Sequence, residues 1–337
     1  MTRLLILPLF LAIWPAACTT RPPAERISLP SSDVTLTTEL TDGTPDRRSE
    51  AIGYLKIPAA ASVAAPAAGV VLLHSSNGPD SQLWFYMKML AEAGYAVLAV
   101  DSFSPRGVKN TMEDQTQVTE ATMMADAYAA FSHLDRHPRV DGARIAVLGF
   151  SKGAMPALYS ALARYRDALS GGRTGFAAHV AFYPWCGMQV MDAQMTGAPV
   201  MVQIGARDRS TPAPLCEELA ARWHVQNPGV TIALTVHPNA RHAFEHPTLG
   251  RWPLGLLPVD KPVPRNCRFE EVAADRFVER ASGLEITADN LAEAVATCSE
   301  IGSEVAFDRD AADAARAAVL AFLDRHLGRE SQGRLAP

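Results

Sequence analysis

The 337-residue chain has no run of basic residues, and its net charge of −5 leaves no electrostatic footprint for nucleic acid. None of its five cysteines forms a C-x-x-C pair, which excludes zinc-ribbon and thioredoxin-type motifs. No H-E-x-x-H is present, so His237, His242 and His246 lack the carboxylate-bearing pattern of a zinc hydrolase, and no metal site is expected. Internal repeats and low-complexity tracts are absent too, which argues against a solenoid or a disordered scaffold. At the N-terminus the apolar stretch 4–14 is eleven residues long and broken by Pro8. Spanning a bilayer takes roughly 20.

With 48% hydrophobic residues, the chain has ample material for a large core, as one big domain or two. Arg3 and the apolar 4–14 stretch have the form of an export signal. Ala16-Ala17-Cys18 then resembles a bacterial lipobox, in which the cysteine is lipidated, although Pro15 stands where the pattern prefers leucine. The expectation is a signal peptide over 1–17, a lipid on Cys18 and a tether over 18–32. That makes a periplasm-facing lipoprotein of the cell envelope, touching membrane only through the anchor. Ordinary cleavage nearby, leaving a soluble exported protein, is the alternative. One domain should fill 33–330, with an insertion at about 249–309, where prolines are frequent and no clean period is visible.

Apolar or alternating runs at 34–40, 51–57, 69–74, 95–100, 144–149, 179–183, 199–204 and 230–236 predict strands. Helical spacing predicts helices at about 82–93, 116–134, 154–168, 214–223 and 311–326. Such alternation implies an α/β fold with a mostly parallel central sheet and helices on both faces.

The organising stretch is Gly149-Phe150-Ser151-Lys152-Gly153, a G-x-S-x-G between the apolar run 145–148 and a helix. This is the strand–turn–helix context of a nucleophile elbow, where a serine on a sharp turn needs neighbours without Cβ. An ordinary βα turn is the bland alternative. A serine hydroxyl needs a base and an acid that orients the base, following in the order Ser, Asp/Glu, His after later strands. Asp208 follows the strand at 199–204 and His242 follows that at 230–236, so Ser151, Asp208 and His242 form the candidate triad. Taken singly, Asp208 is also a common helix-start acid and His242 a common loop histidine. Asp101 and Asp192 are the competing acids. The oxyanion donors should be the N–H of Lys152 and one from the loop after the 69–74 strand, for which Ser76 is the candidate. His74 reads as a loop-packing residue. Arg106 is either a contact for a substrate carboxylate or an exposed loop arginine.

Cysteines 186, 216, 267 and 298 are even in number in a chain expected to be exported, which favours disulfides over buried free thiols. Of three connectivities, Cys186–Cys216 and Cys267–Cys298 are expected. The first pair flanks neighbouring strands, and the second would staple the insertion.

Five stretches together resemble the dienelactone hydrolase family: 73–78, 100–107, 149–153, 205–212 and 237–244. The resemblance covers roughly residues 50–330. It implies the α/β-hydrolase fold, and hydrolysis of a small-molecule ester or lactone through an acyl-enzyme without a cofactor. Two positions depart from the family pattern: Ser151 stands where dienelactone hydrolases proper use cysteine, and Ser75 where they carry glutamate. The expectation is therefore an ester-type bond rather than dienelactone itself. A peptidase or acyl transferase could use the same triad. A non-catalytic binding protein on this scaffold would have no need of all three residues.

Overall fold

The computed structural model describes residues 23–41, 47–251 and 256–328. In chain order the elements are β1 Glu25–Ser32, α1 Thr37–Thr41, β2 Arg48–Lys56, β3 Ala67–Leu73, α2 Ser81–Glu92, β4 Ala96–Asp101, α3 Glu120–Asp135, β5 Val140–Phe150, α4 Ala154–Tyr159, α5 Ala163–Leu169 and β6 Ala178–Phe182. There follow β7 Met188–Gln189, β8 Val200–Gly205, α6 Ala213–Gln226, β9 Ile232–His237, β10 Leu257–Val263, β11 Phe269–Ala273, β12 Arg276–Glu279, α7 Leu291–Cys298, β13 Glu300–Val305 and α8 Arg309–His326.

Among the described residues eight strands form the central sheet, in the order β1-β2-β4-β3-β5-β6-β8-β9. β3 pairs in parallel with β4 and β5, and the parallel ladder runs on through β6, β8 and β9. β2 alone runs against the others, so its pairings with β1 and β4, at one edge, are antiparallel. The central strands are near-continuous apolar runs because helices cover the sheet and leave no solvated face. Val70 to Leu73, Val97 to Val100 and Ile145 to Leu148 are all fully buried. The helices are started by side chains that accept backbone N–H groups: Asp80 for α2, Thr119 for α3 and Asp308 for α8.

Four expectations need correction. The stretch 34–40 alternates like a strand, yet it holds the short helix α1. Glu39 is the cause, since its carboxylate accepts from the N–H groups of Thr35 (3.2 Å) and Leu36 (3.3 Å) and closes the helix start. The tether expected over 18–32 gives way at Glu25 to β1, an edge strand registered residue by residue on β2. The helix expected over 154–168 is broken, because Leu162 is extended and the Ala163 N–H bonds Gln194 O at 2.8 Å. The insertion is not irregular: β10 pairs with β13, and β11 pairs with both β12 and β7. Bulges in both ladders, between Val259 and Pro262 and between Glu271 and Ala273, erase the period that a sequence reading relies on. Residues 252–255, near the start of the expected insertion, lie outside the described residues.

Cys186–Cys216 and Cys267–Cys298 are both bonded, with Cα separations of 4.9 and 4.8 Å. The first ties the segment after β6 to α6. The second ties the start of β11 to the end of α7. Two disulfides fit a protein of the periplasm or the extracellular space. Among the described residues no helix is long and apolar enough to cross a membrane.

Candidate active site

β5 ends at Phe150, and the chain turns at once into a 3-10 turn, Ser151–Gly153, that leads into α4. Ser151 sits at φ +49°, a left-handed conformation that few non-glycine residues adopt. The flanking glycines have separate reasons. A Cβ on Gly149 would lie 1.9 Å from Gly153 O, where the turn folds back over the strand. A Cβ on Gly153 would lie 2.3 Å from His74 O, at the end of β3. Gly153 thus lets the elbow press against the loop that carries Ser76.

Asp208 follows β8 and His242 follows β9, both at the carboxyl ends of the parallel strands. His242 Nδ1 lies 2.7 Å from Asp208 Oδ2, and its Nε2 lies 2.9 Å from Ser151 Oγ. A carboxylate accepts only, so the ring proton sits on Nδ1 and the Nε2 lone pair faces the serine. Asp208 is buried, and its Oδ1 accepts from the N–H groups of Ser210 (2.8 Å) and Thr211 (2.9 Å). The Thr211 hydroxyl can donate to Asp208 Oδ2 at 3.0 Å or to Tyr183 O at 3.1 Å. The competing acids are occupied differently. Asp101 accepts from the N–H groups of Phe103 and Ser104, and Asp192 is exposed.

Around this chain of contacts is a cavity of about 680 Å³, lined by Ser151, His242, Ser76 and Lys152 among others. Ser76 Oγ donates to Gln115 Oε1 at 2.9 Å, which holds its loop in place. Lys152 N–H stands at the open N-terminal end of a 3-10 turn, where backbone donors lack intrahelical acceptors. The Lys152 side chain does something the motif does not reveal. It runs back through the interior to donate to Gln115 O (2.6 Å) and Glu120 Oε1 (2.8 Å), fastening the start of α3 to the elbow.

Arg106 is neither a pocket residue nor an exposed one. Its guanidinium is largely buried between Asp33 (2.6 Å) and Asp126 (2.9 and 3.0 Å), and donates to Ser102 O at 2.7 Å. The fully buried Asp126 needs a cation that solvent cannot supply, and this fixes Arg106 as a structural partner. The histidines near the site also part company. His237 Nε2 meets Gln203 Oε1 at 2.8 Å, and His246 meets Asp80 at 3.1 Å. His74 is buried against Phe103, and burial lowers its pKa against the pull of the Ser75 carbonyl. No cluster of three potential metal-ligating side chains occurs among the described residues.

Sequence reasoning missed the support behind His242. The Tyr183 ring packs 4.6 Å from the imidazole, and Tyr183 itself sits at φ +41°. Its hydroxyl lies 2.9 and 3.1 Å from the two oxygens of Glu245, and Gln82 Nε2 donates to both partners at 2.6 and 2.8 Å. Burial raises the Glu245 carboxyl above the usual range, although His246 and the Tyr183 hydroxyl pull it down. These three residues lie far apart in the chain and match no motif. The one local signal is an acid, Glu245, three positions after His242.

The dienelactone hydrolase family model matches residues 52–252, more than half of the chain. No curated protein matches. Among solved structures, one described as a dienelactone hydrolase, from Klebsiella pneumoniae subsp. pneumoniae, superposes with a TM-score of 0.51 at 18% identity. That match covers 89% of this chain and 99% of the other. A dienelactone hydrolase-like promiscuous phosphotriesterase from metagenomic libraries gives 0.49 at 18% identity, over 90% and 99% of the two chains. A thermophilic esterase from Thermogutta terrifontis, with propionate bound, gives 0.48 at 17%, over 66% and 86%. The chain belongs to the dienelactone hydrolase family: it has the α/β-hydrolase fold and is a hydrolase acting on ester bonds.

Proposed function

We propose that the protein is an exported serine esterase that cleaves a carboxylic ester or lactone through an acyl-enzyme, with Ser151 as nucleophile. One observation carries the reading: an unbroken run of contacts, Asp208 to His242 at 2.7 Å and His242 to Ser151 at 2.9 Å, opening on a cavity. Ser151 Oγ attacks the carbonyl carbon as His242 Nε2 takes its proton. The tetrahedral oxyanion accepts from the Lys152 and Ser76 N–H groups. Collapse breaks the bond to the leaving oxygen, which departs as an alcohol with the proton from His242. A water then gives a proton to His242 and its hydroxide to the acyl carbon; collapse breaks the bond to Ser151 Oγ, to which His242 returns the proton, releasing the acid and free Ser151. Asp208 keeps the imidazole in the useful tautomer and stabilises it while charged.

Export is supported by the leader-like 1–17 stretch and by the disulfides; Cys18 is the proposed lipidation site, and the protein faces the periplasm from the cell envelope. Residues 1–22 lie outside the described structure. The esterase reading is tested with a p-nitrophenyl ester. Ser151→Ala and His242→Ala should each lower kcat by on the order of 10³-fold, with an unchanged circular dichroism spectrum. Activity retained in Ser151→Ala would sink it.

A further inference from the structure

We infer that the cavity selects neutral esters bearing an extended apolar group, and that the insertion supplies the wall that recognises it. The inference rests on the esterase reading of Ser151 and adds the class of substrate.

The volume of about 680 Å³ falls in the range of pockets that enclose drug-sized ligands, roughly 300–1,000 Å³, and far exceeds an acetyl group. The apolar lining comes largely from the insertion: Leu257, Val259 and Val263 of β10, Phe269 of β11, and Leu291 and Val295 of α7. This wall is anchored to the catalytic loops. β11 pairs with β7, which follows Tyr183, and Val305 bridges His242. The Cys267–Cys298 bond holds α7 against β11 from behind.

Charge separates this site from one built for an anionic substrate. Among the described residues four basic side chains line the cavity, and each already has an acidic partner. Lys152 is held by Glu120, Lys261 by Glu113, His246 by Asp80 and His242 by Asp208. Arg106, the cation a sequence reader would offer to a carboxylate, is buried elsewhere. The lining also includes Asp260, which is exposed. A substrate carboxylate brought here would lose water without gaining a free cation, a cost that binding does not repay. A methyl terminus pays no such penalty and gains from each methylene buried against the wall.

The test compares kcat/KM of the full-length enzyme on three p-nitrophenyl esters: acetate, hexanoate and the hemiadipate. The last two have six-carbon acyl chains that end in a methyl group or a carboxylate. Hexanoate should exceed acetate by at least about tenfold and the hemiadipate by about 100-fold. In Val259→Lys, which adds a cation to the wall, the hemiadipate-to-hexanoate ratio should rise by about tenfold. Hydrolysis of hexanoate no faster than acetate, or of the hemiadipate as fast as hexanoate, overturns the inference and leaves the esterase reading standing. Hydrolysis of none of the three overturns both.

Discussion

A Cβ on Gly149 would stand 1.9 Å from the carbonyl oxygen of Gly153, four residues on. That oxygen is backbone and cannot rotate away, so relief requires the elbow to open. Gly149→Ala should therefore cost at least about 3 kcal/mol of stability, the upper end of overpacking penalties. Guanidinium denaturation measures it. A variant as stable as the parent would mean that the turn is looser than described.

Asp208 accepts two backbone N–H groups on Oδ1 and the imidazole N–H on Oδ2. In Asp208→Asn an amide N–H can face Nδ1 instead, which drives the ring proton to Nε2 and removes the base. A fall in kcat on the order of 10³-fold is expected, with folding kept. Asp192→Asn, at an exposed position, should leave kcat within about twofold. The reverse pattern would reassign the acid.

The Cys267–Cys298 bond closes a loop whose ends are 31 residues apart, within the insertion that walls the cavity. Replacing both cysteines by serine should cost roughly 3.7 kcal/mol by loop entropy, and should lower the preference for hexanoate over acetate as α7 loosens. Equal stability and equal selectivity in the double variant would argue that β10 and β13 hold the wall unaided.

His179 is fully buried on β6, and burial lowers its pKa down to about 4, opposed only by the Ala157 carbonyl. The unfolded histidine titrates near 6.5, so the unfolded chain takes up the proton first. His179 therefore contributes its full stability above about pH 6.5 and loses it as the pH falls towards 4, about 3 kcal/mol in all. His74, also lowered by burial, acts in the same direction. Unfolding free energies measured at intervals from pH 7 to pH 4 should show this loss, and His179→Asn should flatten the slope. A slope unchanged in the variant would assign the acid sensitivity to other groups.

The elbow and its partners were legible in the sequence because each is tied to a local rule: a glycine where Cβ collides, an acid and a histidine after successive parallel strands. The pairing of Cys186 with Cys216 was legible from strand order. What escaped has causes that act across the chain. α1 was hidden because the Glu39 carboxylate, and not periodicity, decides between helix and strand. β1 was hidden because an edge strand containing Pro30 looks like a linker until β2 is beside it. Arg106 was misjudged because its partners, Asp33 and Asp126, lie 73 and 20 residues away. The same holds for Glu245, whose meeting with Tyr183 and Gln82 exists only in the folded chain.

The central claim is that Ser151 is the residue that becomes acylated. A fluorophosphonate probe reacts with an activated serine hydroxyl and stays bound, and peptide mass spectrometry then locates it. A single adduct is expected, on the peptide containing Ser151, that is abolished in Ser151→Ala and strongly slowed in His242→Ala. An adduct on another residue, or none on a folded protein that hydrolyses esters, would contradict it.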